Sequence, residues 1–78
     1  MTNTTKTTIE NAIEKRPCEF EVHYADGRMC RHLGLFWEYE RYILPQIIAG
    51  TVEKVYAVFD HGRYRPRTKE QIDIEGLA

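Results

Sequence analysis

The side chains with the most chemical reach are Glu21, His23, Cys30 and His32, because carboxylate, imidazole and thiolate are zinc ligands and an imidazole beside a thiol raises its nucleophilicity. They meet only on one arrangement of the chain. Cys18–Tyr24 alternates apolar and polar residues and is followed by Ala25-Asp26-Gly27-Arg28, so it reads as the first strand of a hairpin returning through Met29 to Phe36. A two-residue turn at Asp26-Gly27 sets Tyr24 against Met29, His23 against Cys30, Glu21 against His32 and Phe20 against Leu33. That register predicts a polar square on the outer face. It predicts a core face made of Cys18, Phe20, Val22, Tyr24, Met29, Leu33 and Leu35, with Arg31 as the misfit.

The square is a weak basis for catalysis. The spacing of Cys18 and Cys30 fits no standard zinc motif, and no Gly-rich strand-to-helix turn supplies an oxyanion-stabilising pocket. His23, Cys30 and His32 therefore stand as weak metal candidates on a solvated face. No catalytic residue and no cofactor is assigned.

A second cluster lies in His61-Gly62-Arg63-Tyr64-Arg65-Pro66-Arg67-Thr68-Lys69, which gathers Arg63, Arg65, Arg67 and Lys69 around one aromatic. Read as a short edge strand, with Pro66 confining it to the sheet margin, this stretch places the three arginines on one face. Planar guanidinium groups there can engage carboxylates or phosphates bidentately. Tyr64 would stack on an unpaired base or anchor a protein contact. A third cluster is Phe36, Trp37, Tyr39 and Tyr42. Two consecutive rings at 36 and 37 cannot both face inward on a regular helix, so Trp37 joins the arginines, Tyr64 and Lys69 as a partner-binding candidate.

The elements that must position these groups follow from periodicity. Thr7 with Glu10 reads as a capping box for a helix that Pro17 ends, and Ile9, Ala12 and Ile13 give it a narrow apolar stripe. Trp37 to Ala49 reads as a second helix disturbed by Pro45 and terminated at Gly50. Val52 to Phe59 is apolar on both faces, as a central strand requires, and His61-Gly62 turns the chain into a second hairpin. The predicted fold is thus α+β: an antiparallel sheet of two β-hairpins packed against two helices, in one domain spanning 1–78. Residues 1–6 are expected to be disordered and 68–78 to form a loosely docked tail.

With 78 residues, 42% hydrophobic and 29% charged, the chain has room for one core and is too apolar for intrinsic disorder. No run approaches a membrane span, the Thr-rich start lacks a signal-peptide core, and the cysteines read as reduced thiols, so a soluble cytoplasmic protein is expected. A net charge of -1 argues against generic attraction to nucleic acid. A small core leaves room for stabilisation by homodimerisation.

Lacking a nucleophile motif, a phosphate loop or a metal spacing, the chain reads as a noncatalytic protein-binding module whose partner is a larger protein or ribonucleoprotein complex. In size and lack of motifs it resembles small regulatory or inhibitory proteins of phages and other mobile elements, such as anti-CRISPR antagonists of host defence, which act by steric blocking. The alternatives are a small DNA- or RNA-binding regulator using the 61–69 hairpin and a metal- or thiol-dependent enzyme using the 18–36 hairpin.

Overall fold

A computed structural model describes residues 6–75, so expectations for 1–5 and 76–78 lie outside the described residues. The elements in chain order are α1 (Ile9–Glu14), β1 (Glu19–Tyr24), β2 (Met29–Leu33), a helix α2 over 36–48, β3 (Val52–Phe59) and β4 (Thr68–Gln71). The strands form one antiparallel sheet in the order β2-β1-β3-β4, as the α+β reading with two hairpins requires.

One sheet face is covered by the helices; the other, the bare face, carries no described helix, although Val58 and Glu21 on it are buried. Phe20 and Val22 of β1, Val55 and Ala57 of β3, Ala12 of α1, and Tyr39, Ile43 and Ile47 of α2 form the core, with Ile72 sealing the β4 side. Burying each of the larger aliphatic and aromatic groups is worth about 1.5–3 kcal/mol, so this one layer of helix on sheet carries the fold. Phe20 meets Tyr39 with ring centroids 5.7 Å apart in a tilted geometry.

The first hairpin turns one residue differently from the expectation. The Gly27 amide donates to the Tyr24 carbonyl and the Tyr24 amide to the Arg28 carbonyl, which closes a three-residue loop, Ala25-Asp26-Gly27, with Gly27 at φ 94°. Gly27 takes the left-handed position that ends a tight turn of this length. The resulting pairs are Phe20 with His32, Glu21 with Arg31, Val22 with Cys30 and His23 with Met29. A one-residue slip sends every β2 side chain to the opposite face. Met29, Leu33 and Leu35, expected in the core, are exposed, as is Cys18. The physical reason is visible at Arg31: in this register it leaves the core face and approaches Glu19 at 3.6 Å on the bare face.

Smaller corrections follow the same logic. Thr8, not Thr7, caps α1, accepting a hydrogen bond from the Asn11 amide at 3.2 Å. Thr7 instead makes a parallel bridge to Ile72, its amide donating to the Gln71 carbonyl at 2.9 Å. Helix α2 begins at Phe36 and contains a π-helical turn over Tyr39–Ile43, which ends two residues before Pro45. Proline has no N–H and crowds the carbonyl four residues earlier; the wider turn relieves both, and the Gln46 side-chain amide donates to the Tyr42 carbonyl.

The described part of the expected tail, 68–75, is held to the sheet. Residues 68–71 are β4, Ile72 is fully buried and Lys6 pairs with Glu75 at 2.7 Å. Conversely, the expected edge strand around Tyr64 is a loop over 60–67, so Arg63, Arg65 and Arg67 do not share a strand face. Among the described residues no helix is long and apolar enough to cross a membrane.

Candidate functional site

The slip in β2 dissolves the polar square. Glu21 and His23 stay on the bare face, while Cys30 and His32 turn toward the helix side, so the expected pairing of His23 with Cys30 does not form. Among the described residues no group of three His, Cys, Asp or Glu side chains is placed to hold a metal ion. His32 instead stacks on Tyr42, with ring centroids 5.9 Å apart and planes 13° from parallel.

What the slip creates is an apolar border. Met29, Leu33, Leu35, Phe36, Trp37 and Tyr42 are all exposed large hydrophobic residues on β2, its exit or the first turns of α2. Leu33 is 58% exposed and Trp37 54%. Trp37 packs edge-on to Tyr42 at 6.2 Å, and the Arg41 guanidinium lies over the Tyr42 ring at 5.8 Å. His32, Tyr42 and Trp37 therefore form a continuous aromatic ridge beside the free edge of β2.

Gly34 holds this border against the sheet. A Cβ at this position would run into the carbonyl oxygen of Pro17, and the Gly34 amide donates to the Cys18 carbonyl at 3.3 Å. Only glycine permits so close an approach, and it sets where the chain leaves β2 for α2. Arg16, at φ 56°, and Pro17 after it turn the chain from α1 into β1 on the other side of the contact.

The bare sheet face holds a charge network centred on two carboxylates of β1. Glu19 lies 3.6 Å from both Arg31 of β2 and Arg67 at the end of the 60–67 loop. Glu21, only 8% exposed, accepts hydrogen bonds from His23 at 2.8 Å and Lys69 at 3.1 Å. The hydrogen bond with His23, followed by that with Lys69, holds the Glu21 carboxyl below its usual range against the opposing pull of burial. Beside it the Tyr56 ring has the ammonium groups of Lys69 and Lys54 over it at 5.1 and 5.7 Å and the His23 ring edge-on at 5.5 Å.

The sites expected from sequence are partly brought together. Arg67 and Lys69 lie on the bare face, while Arg63, Tyr64 and Arg65 project from the loop, Tyr64 at 90% exposure. Glu19 pairs with Leu33 on one side and Val58 on the other, so the loop after β3 leaves the sheet at the same end as the β2–α2 junction that carries Trp37. Met29, Leu33 and Leu35 were missed as surface groups. The signal was available in Arg31, a charge that the two-residue turn would have forced into the core.

No family model, no curated protein and no solved structure matches the chain closely enough to lend it a function.

Proposed function

We propose that this chain is a noncatalytic protein-binding module that docks on an acidic, partly apolar surface of a larger protein or ribonucleoprotein through the β2–α2 border, flanked by the arginine loop. The observation that carries this reading is the row of exposed large hydrophobic residues from Met29 to Tyr42 on a chain with so little surface. Contiguous apolar patches rimmed by charge mark interaction sites on small folded domains. Trp37 and Tyr42 are residue types that become binding hot spots, and Arg31, Arg63, Arg65 and Arg67 supply the polar rim at the same end of the sheet. Such a module acts by occupying a surface and blocking access to it, the mode of a small phage-type inhibitor. The reduced thiols of Cys18 and Cys30 suit a cytoplasmic setting.

Nucleic-acid binding on the bare face is the weaker reading. Tyr56 has the right place for a stacking platform, but two ammonium groups already lie over its ring and Glu19 and Glu21 sit at the centre of the face, where they repel phosphates.

The test uses native lysate and quantitative capture with three versions of the full chain. Trp37→Ala combined with Leu33→Ser should abolish capture of the partner seen with the parent chain, while the triple change of Arg63, Arg65 and Arg67 to Ala should weaken it and flatten its modest salt dependence. Undiminished capture by the first variant would remove the basis of the reading. A nuclease-sensitive complex with a steep salt slope would transfer it to nucleic acid.

A further inference from the structure

The free edge of β2 has a hydrogen-bonding pattern as well as an apolar border. The Tyr24 amide donates to the Arg28 carbonyl at 2.9 Å and the Gly34 amide to the Cys18 carbonyl at 3.3 Å, with Val22–Cys30 and Phe20–His32 pairs between them. In an antiparallel ladder the bonded pairs alternate, so Arg28, Cys30, His32 and Gly34 point their N–H and C=O groups at β1. Met29, Arg31 and Leu33 point theirs outward. No described strand pairs with that side of β2.

Natural sheet edges are usually guarded by charge, proline or a covering segment. This one is flanked by the exposed Met29 and Leu33 side chains with Arg31 between them. From Gly27 to Trp37 the chain carries two arginines and no acidic residue; Arg28 is paired with Asp26 at 2.7 Å, which leaves Arg31 as the cation of the edge.

We infer that β2 is an acceptor edge for an extended peptide segment of the partner, which adds as a fifth strand and carries an apolar–acidic–apolar triplet on alternate residues. The inference rests on the protein-binding reading above and specifies its partner. Main-chain bonds to Met29, Arg31 and Leu33 provide the affinity common to strand addition, and side-chain pockets provide the selectivity. On the bare face the partner's two apolar residues oppose Met29 and Leu33, and its carboxylate opposes Arg31, whose contact with Glu19 at 3.6 Å is too long for a hydrogen bond and leaves donors free. On the helix side an intervening bulky residue rests on the ridge of His32 and Tyr42. A second copy of the chain fits less well: antiparallel pairing of β2 with itself, with Met29 opposite Leu33 of the other copy, sets the two Arg31 side chains directly against each other on the bare face.

The probe is a displayed library of random nine-residue peptides selected on the full chain. Peptides with Asp or Glu between two apolar residues at alternate positions should be enriched, and a synthetic consensus should bind. N-methylation of that peptide at its strand-pairing amides should weaken binding about tenfold or more, as loss of main-chain hydrogen bonds requires. On the protein, Leu33→Pro should bind about tenfold more weakly than Leu33→Ala, since both lose the side chain and only proline also loses the outward N–H. Enrichment of basic peptides, or binding indifferent to N-methylation, would overturn strand addition while leaving the aromatic ridge as a docking surface. Binding indifferent to Trp37→Ala and Leu33→Ala together would instead overturn the underlying reading. Sedimentation showing a dimer whose β2 amides are already protected would give the edge to a second copy and overturn the inference.

Discussion

The two edges of the sheet are built to opposite specifications. At β4 the strand is Thr-Lys-Glu-Gln, Lys15 reaches over from α1 to Glu70 at 3.0 Å, and Thr7 lies alongside Ile72 with its carbonyl accepting from the Asp73 amide at 2.7 Å. That edge is polar, charged and partly covered by the chain's own N-terminal segment. At β2 the strand is Met-Cys-Arg-His-Leu, with its flanking hydrophobic residues in solvent. An apolar anchor is present on both sides, but Ile72 faces inward at 0% exposure and Leu33 faces outward. One edge is closed by self-contacts and the other is unpaired among the described residues, which is the contrast behind the proposal of a binding role for β2.

The sharpest way to test this contrast is to truncate the two anchors. Ile72→Ala should cost about 2–5 kcal/mol, as removal of a fully buried aliphatic side chain does, whereas Leu33→Ala should fall within about 0.5 kcal/mol. Paired urea melts measure both. Equal losses would mean that β2 is as integral to the core as β4.

Next in size is Gly34→Ala, which forces a methyl group into the Pro17 carbonyl and should cost about 1–3 kcal/mol, with the damage concentrated at the β2–α2 junction. A melt near the parent's would show that the chain can part there without strain.

A smaller effect belongs to the bare face. Because the folded Glu21 carboxyl titrates below its usual range, its contribution is fully present above the unfolded-state pKa and is lost as pH falls through the folded one, under acidic conditions. Acid titration of stability should therefore be shallower in Glu21→Gln, with a difference of about 1 kcal/mol or less for a network this near solvent. Identical acid profiles would count against the His23–Glu21–Lys69 arrangement.

The smallest effect is expected for Arg63, Arg65 and Arg67 changed together to Ala. These side chains sit in an exposed loop, and each change should alter stability by less than about 0.5 kcal/mol in circular dichroism melts. A marked loss would show that the loop is part of the fold.

Much of this architecture could be read from residue patterns, and the failures have a common cause. Alternation in Glu19–Tyr24 and the apolar density of Val52–Phe59 reflect burial, which is recorded in every residue of the strand. The register of β2 hangs on one loop, and Asp26-Gly27 suits a two-residue and a three-residue turn alike because both use glycine's left-handed backbone. That single residue of slip decides whether Met29 and Leu33 are core or surface. Strand β4 was illegible for another reason: Thr68–Gln71 has no apolar alternation, and its place depends on Ile72 and Thr7, contacts distant in sequence. The candidate site was half legible, since exposed Trp37 and the arginines stood out by type, but the edge beside them did not.

Amide hydrogen exchange on the chain alone and with its captured partner tests the central claim most directly. In the free chain the amides of Met29, Arg31 and Leu33 should exchange quickly while those of Cys30 and His32, bonded to β1, exchange slowly, and partner binding should protect the first set. Protection confined to the 60–67 loop or to the bare face around Tyr56, with the β2 edge unchanged, would contradict the account.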